Sequence, residues 1–136
     1  MTQECSKRIE EMCRMEFSKI NGLYRPKDNM IVNPGQFCSD YHVSYLSVSR
    51  NNEDKSSAVF YVPHDCDFIG VIEDITVANK LRGRGFGRGM VEAIERIFRE
   101  TGQPVVCAYH TSNPEFWEHL GYKLDKEKLI GAKIIS

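Results

Sequence analysis

The stretch Arg82-Gly83-Arg84-Gly85-Phe86-Gly87-Arg88-Gly89 alternates glycine with mostly basic residues, between an apolar strand-like pattern and a helical one. A glycine-rich turn at a helix N-terminus exposes backbone N–H groups and lets a ligand approach the main chain closely. The helix dipole and the arginines then favour an anion, most naturally a phosphate or pyrophosphate. The first expectation is a phosphate-bearing ligand held mainly by backbone amides.

Other glycine-rich motifs fit the context poorly. A dinucleotide-binding GxGxxG belongs to a first βαβ unit with an acidic residue roughly 20 positions on. Here the loop lies past the middle of the chain, after a hairpin pattern. No Gly-Lys-Ser/Thr follows, as a Walker loop requires. RNA-binding RGG segments are repeated and disordered, whereas this one is single and flanked by ordered patterns. A plain strand-to-helix turn would have little use for so many glycines.

The remaining chemistry-bearing residues are sparser. His64-Asp65-Cys66-Asp67 reads as a polar turn, because adjacent ligands cannot all face one ion and no second cluster supports them. No metal is expected. The five cysteines are scattered without a CxxC pair, which argues for free thiols in a reducing compartment. Cys107 reads as a buried strand residue, not a nucleophile. The net charge of −1 gives no general attraction to nucleic acid or an anionic membrane. The charged N-terminus does not resemble a signal peptide, and Ala58 to Val62, the longest apolar run, is too short to span a bilayer. The expectation is a cytoplasmic protein.

The 136 residues suit one domain spanning 1–136. Cys5, Ile9, Met12, Cys13, Phe17 and Ile20 recur at helical spacing before Asn21-Gly22. Residues 24–40 read mostly as loop, with a short strand at Met30 to Val32. Val43, Tyr45 and Val48 form one arm of a hairpin and Ala58 to Val62 the other, turned by residues 51–55. A longer strand covers Phe68 to Val77, and a helix with Phe86, Met90, Ile94, Ile97 and Phe98 on one face ends at Thr101-Gly102. Val105 to Tyr109 is a strand, Asn113-Pro114 caps a short helix ending at Gly121, and strands follow at Tyr122 to Leu124 and Leu129 to Ile135. The fold class is α+β or mixed α/β.

Ile72-Glu73-Asp74-Ile75-Thr76-Val77 followed by Arg82-Gly83-Arg84-Gly85-Phe86-Gly87-Arg88 resembles the acyl-CoA-binding motif of the GNAT family of N-acetyltransferases. Arg82, Gly85 and Gly87 fill its Gln/Arg-x-x-Gly-x-Gly/Ala signature in register. Phe116-Trp117-Glu118-His119-Leu120-Gly121-Tyr122 is similar to the family's second motif, an aromatic-Tyr-x-x-Leu-Gly-Phe pattern. The resemblance covers the chain from about Phe68 onward; the first half matches only in its hairpin.

The resemblance implies a mostly antiparallel central sheet with flanking helices and a splayed strand pair. It implies acetyl-CoA as cosubstrate, with Arg82, Gly83, Arg84, Gly85, Phe86, Gly87 and Arg88 around the pyrophosphate. The backbone of Ile75, Thr76 and Val77 would hold the pantetheine arm as the strand parts from Val105 to Tyr109, and a β-bulge is expected near Glu73 to Ile75. Glu73 occupies a position some members use for a general base; Asp74 should face the other way unless the bulge reverses the alternation. Trp117 stands at the usual tyrosine acid position, and an indole N–H is no practical acid. His110 and Tyr109, at the end of the splayed strand, are the substitutes. Asn113 would contact the pantetheine or cap its helix.

The leading expectation is therefore acetyl transfer to a primary amine (a protein lysine, an N-terminus or a small cationic amine) by direct attack in a ternary complex. The acidic residues before the loop favour a cationic acceptor. The second reading is a weakly active or inactive CoA-binding module that works by binding a protein partner, motivated by Trp117. Nucleic-acid binding through the arginine loop is the third. The chain starts with a helical pattern where the family has a strand, which leaves a sheet edge that a partner subunit in a homodimer can supply.

Overall fold

The computed structural model describes Glu11 and residues 28–37, 41–50, 54–63, 66–77, 83 and 85–136; of residues 28–57 only the backbone is described. Of the helix expected over Cys5 to Ile20, Glu11 alone falls in this range, in helical conformation, and the rest lies outside the described residues.

Among the described residues, seven strands form one sheet in the order β1-β2-β3-β4-β5-β7-β6. They are β1 (Asp28–Phe37), β2 (Tyr41–Arg50), β3 (Asp54–Pro63), β4 (Ile69–Thr76), β5 (Val105–Tyr109), β6 (Lys123–Asp125) and β7 (Ile130–Ile134). Helix α1 (Phe86–Glu100) joins β4 to β5 and helix α2 (Pro114–His119) follows β5. β4 and β5 are the one parallel pair of this sheet; the other neighbours are antiparallel. A parallel pair needs a long crossover, which α1 supplies. This is the mostly antiparallel sheet that the family resemblance implied, within the mixed α/β class read from the element order.

The apolar stripe of α1 packs on one face of the sheet. Phe86, Met90, Ile94, Ile97 and Phe98 join Ala58, Phe60 and Val62 of β3, Ile72 of β4 and Val106 and Ala108 of β5 in a single buried cluster. Full burial of each large apolar side chain is worth about 1.5–3 kcal/mol. Phe98 meets Phe60 edge to face at 5.9 Å and lies so close to β4 that a Cβ at Gly70 would sit 2.3 Å from its ring. The helix stops where Gly102 adopts φ 90° and Thr101 Oγ1 donates to Ile97 O at 2.9 Å.

Two expectations need correction. Residues 28–37 form a ten-residue strand, not mostly loop. Pro34 and Gly35 suggested a break, yet among the described residues β1 is the end strand of the sheet, a place where proline is tolerated. The register slips between Pro34 and Phe37, which absorbs the irregularity. The last two strands begin one residue later than their patterns suggested, at Lys123 and Ile130.

Candidate active site

Two features of β4 open the site. Its ladder to β5 runs only from Ile69↔Val105 to Ile72↔Ala108, although β4 continues to Thr76 and β5 to Tyr109. Beyond Ile72 the two strands part. On its other side, β4 pairs Phe60 with Ile72 and Val59 with Asp74, so Glu73 is an extra residue, a β-bulge. Directly paired residues share a face. Ile72 and Ile75 therefore lie on the α1 side with Phe60 and Ala58, while Asp74 lies with Val59 on the opposite side. Glu73 reaches that opposite side too, because its Oε2 accepts a hydrogen bond from Tyr61 Oη at 3.2 Å. The bulge reverses the alternation and turns both carboxylates to one face.

Across the gap, His110 follows β5 with φ 57°, a left-handed conformation uncommon outside glycine. The next residue, Thr111, is tied by its N–H to Leu129 O at 3.1 Å. His110 Nε2 stands 3.8 Å from Glu73 Oε1, beyond hydrogen-bond distance. Both side chains are substantially exposed. Tyr61, Glu73 and His110 thus meet where the strands separate. Tyr109 is 39% exposed and makes no hydrogen bond to Glu73 or His110 among the described residues.

On the α1 side, the parted strands and the glycine turn enclose a cleft of about 540 Å³. Ile75 and Val77 form one wall, Gly83, Gly85, Phe86, Gly87 and Arg88 the end, and His110, Ser112, Asn113, Phe116 and Trp117 the other wall. Gly83 and Gly85 have φ 78° and 83°, where L side chains are strained. Helix α1 starts at Gly85 without a side-chain cap and with no acidic residue in its first turn. Amides of a first helical turn have no carbonyl of their own helix to bond. Gly87 serves packing instead, since a Cβ there would lie 3.0 Å from the Phe116 ring and 3.4 Å from Val77 Cγ2.

The charge at this end differs from expectation in one respect. The Arg88 side chain is bonded to Glu92, Nε to Oε1 at 2.8 Å, and that carboxylate raises the guanidinium's pKa. Such an exposed pair is weak and separates readily. Arg82 and Arg84 lie outside the described residues, as do His64 and Asp65 of the polar turn. Thr76 is exposed, does not line the cleft, and donates its hydroxyl to Asp74 Oδ2 at 2.7 Å.

The α2 wall is built as its sequence suggested. Asn113 Oδ1 accepts from Phe116 N at 3.4 Å, with Pro114 in the first turn, so the capping role is seen. Trp117 is buried and packs edge to face on Phe116 at 5.2 Å and on Tyr122 at 5.0 Å. Tyr122 gives the cleft no acid, because its hydroxyl donates to the buried Glu95 at 2.8 Å. His110 and Arg88 are the titratable side chains among the described lining residues. Cys107 is half-buried where full burial was expected; burial pushes its thiol up, and nearby Cys66 adds to this.

The sequence over residues 12–122 matches the family described as "Acetyltransferase (GNAT) family". The chain belongs to that family. One relative is the mouse (Mus musculus) protein N-alpha-acetyltransferase 80, 37% identical over 68 residues, which are 50% of this chain and 20% of that protein. The chain thus matches only a fifth of that relative's length.

Solved GNAT structures share the fold. A GNAT family acetyltransferase from Elizabethkingia anophelis, crystallised with acetyl-CoA bound, superposes with a TM-score of 0.59 at 12% identity, covering 81% of this chain and 99% of that one. N-acetylglutamate synthase from Neisseria gonorrhoeae, complexed with coenzyme A and N-acetyl-glutamate, gives 0.56 at 14% identity over 68% of this chain and 26% of that one. The splayed strands and the bulge expected of a GNAT protein are both present.

Sequence reasoning missed Ser112, Phe116 as a cleft wall, and above all Tyr61. Ser112 was findable, since it lies between His110 and Asn113. Tyr61 was not, because its approach to Glu73 depends on the β3–β4 register and on one inserted residue.

Proposed function

We propose that this chain transfers an acetyl group from acetyl-CoA to a primary amine, by direct attack within a ternary complex. The observation carrying the reading is the cleft: a glycine turn with two left-handed residues and a helix start without a side-chain cap at one end, and an opening between parted strands along its length. The cradle suits a pyrophosphate bound by main-chain amides, and the edge of β4 that leaves the β5 ladder beyond Ile72 suits an extended amide-containing arm. Bound there, acetyl-CoA would supply an activated thioester.

The chain's own residues have three tasks in this reading. The turn from Gly83 to Arg88 and the backbone of Ile75 and Val77 hold the cosubstrate, with Asn113 and Trp117 along the opposite wall. Arg82 and Arg84 are assigned charge-assisted contacts with phosphates. Glu73, on the opposite face, takes a proton from the amine, which is otherwise an unreactive ammonium at neutral pH. The amine nitrogen bonds to the thioester carbon, the carbon–sulfur bond breaks with its electron pair going to sulfur, the nitrogen gives up its second proton to solvent, and the sulfur is protonated. His110 lines the cleft and faces Glu73, so it is the candidate to donate that proton; Tyr109 is the weaker alternative. The carboxylates of Glu73 and Asp74 on one face favour a cationic acceptor, and the N-alpha-acetyltransferase relative makes a protein N-terminus a leading candidate beside lysine and small amines.

The test has two steps. Calorimetry should show acetyl-CoA binding at sub-millimolar concentration, and incubation with pooled peptides, proteins and polyamines should yield an acetylated amine by mass spectrometry. No binding ends the reading. Tight binding with no acetylated product favours the second reading, a CoA-binding module acting through a protein partner. The placement of buried Trp117 where a tyrosine acid is usual favours that alternative.

A further inference from the structure

Between Val71 and Thr76, Glu73 is the one residue of β4 without a ladder partner on β3, since its neighbours Ile72 and Asp74 pair with Phe60 and Val59. A bulged residue is a device for re-aiming a side chain, but a half-exposed carboxylate still needs something to fix its torsions. The contact present is Tyr61. Tyr61 stands opposite Val71 in the register, on the face to which the bulge turns Glu73 and Asp74. Its hydroxyl donates to Glu73 Oε2 at 3.2 Å, while Oε1 is the oxygen nearer His110, 3.8 Å from Nε2. The two carboxylate oxygens are therefore in different environments, one engaged by the strand behind and one turned toward the parting of the strands.

We propose that Tyr61 is a positioning residue, which occupies Oε2 of Glu73 so that Oε1 is the oxygen presented to the acceptor amine. This rests on the acetyl-transfer reading above and adds to it a residue whose side chain touches neither acetyl-CoA nor the reacting atoms. Before the nitrogen–carbon bond forms, the ammonium passes one proton to Oε1 of Glu73, which frees the lone pair that attacks. Tyr61 keeps its own proton throughout, and its hydrogen bond limits the rotation that would carry Oε1 away. The benefit is in orientation, which governs how often the bound amine meets a correctly aimed base. Removing the tyrosine hydroxyl should therefore lower turnover without altering the cleft, on the far face of β4.

The test is a double-mutant cycle with Tyr61→Phe, Glu73→Gln and the pair, on the full chain. The probe is a defined panel: spermidine, a peptide with an internal lysine and a blocked N-terminus, and a peptide with a free α-amine. Thiol release from acetyl-CoA is followed with the amine that gives the fastest wild-type rate. Tyr61→Phe should reduce kcat about tenfold, the scale of a lost orienting hydrogen bond of about 1.4 kcal/mol, with acetyl-CoA affinity and melting temperature close to wild type. In the Glu73→Gln background the same substitution should have almost no further effect, because the base it aims is gone. A merely structural tyrosine would instead slow both backgrounds equally and lower the melting temperature. Equal effects in the two backgrounds, or an unchanged kcat in Tyr61→Phe, overturn the proposal while leaving acetyl transfer standing. No thiol release by the wild type with any of the three amines overturns both.

Discussion

Gly85 and Gly87 occupy similar places in the loop signature but are required for different physical reasons. Gly85 has φ 83° and open space where a Cβ would point, so the demand is on backbone conformation alone. Gly87 has no such torsion, and a Cβ there would run into the Phe116 ring at 3.0 Å. The two should therefore answer differently to substitution. Asparagine tolerates the left-handed region better than other L-residues, whose cost is about 1–2 kcal/mol. Gly85→Asn should keep most of the CoA affinity measured by calorimetry, whereas Gly85→Val should weaken it by roughly tenfold or more. Gly87→Ala should weaken it through displacement of Phe116, and Phe116→Leu in that background should recover part of the loss. If Gly85→Asn were as damaging as Gly85→Val, the ligand would be pressing on the Gly85 Cα itself and the backbone account would be wrong.

Among elements, β4 joins the core to the site: its first half is packed under α1 and its second half is released. Gly70 belongs to the packed half, and its missing side chain is the space that Phe98 fills. Gly70→Ala should destabilise the fold by about 1–3 kcal/mol, the usual cost of an overfilled core, read as a lowered urea midpoint with an unchanged m-value. Phe98→Leu alone should also destabilise, yet combined with Gly70→Ala it should cost less than the sum, because the two groups compete for one volume. Strict additivity would mean that α1 shifts away from the sheet as a body. The packed half was legible in sequence, as were the α1 stripe, β5 from Val105 to Tyr109 and the Asn113-Pro114 cap, because each is written in local periodicity or in one capping residue. The glycine cradle was legible for the same reason, as torsional demands are local. The edge strand β1 was obscured by Pro34 and Gly35, whose tolerance depends on which neighbour the strand has. Tyr61 was hidden because register is a property of two strands, and a single bulge changes which side chains share a face. The family resemblance anticipated a bulge near Glu73, but not what it would bring within reach.

At the scale of the whole molecule, the second half of the chain is tied back to α1 by a buried polar group far apart in sequence. Glu95 on α1 is 5% exposed and accepts Tyr122 Oη at 2.8 Å, and Lys133 Nζ of β7 lies 3.0 Å from its other oxygen. Lys133 also lies 5.6 Å from the Tyr122 ring centre. No helical or strand period marks these residues as partners, since the fold alone assembles them. Burying a carboxylate is costly unless its oxygens are bonded, so the three groups stand or fall together. Burial and the adjacent Glu95 raise the pKa of Tyr122 well above the ordinary tyrosine value. An unfolded chain would ionise this hydroxyl near pH 10, while the native state keeps it protonated to higher pH. The stabilisation is fully present below about pH 10 and is lost as pH rises above it, because only the unfolded state then releases the proton. One such group limits the slope to about 1.4 kcal/mol per pH unit. Urea unfolding from about pH 9 to 11 should show wild-type stability falling more steeply than that of Tyr122→Phe, with the variant less stable at neutral pH by about 1–3 kcal/mol because Glu95 loses a donor. Titration of exposed lysines affects both proteins alike and drops out of the comparison. Parallel curves for the two proteins would show that the Tyr122 hydroxyl reaches water in the native state.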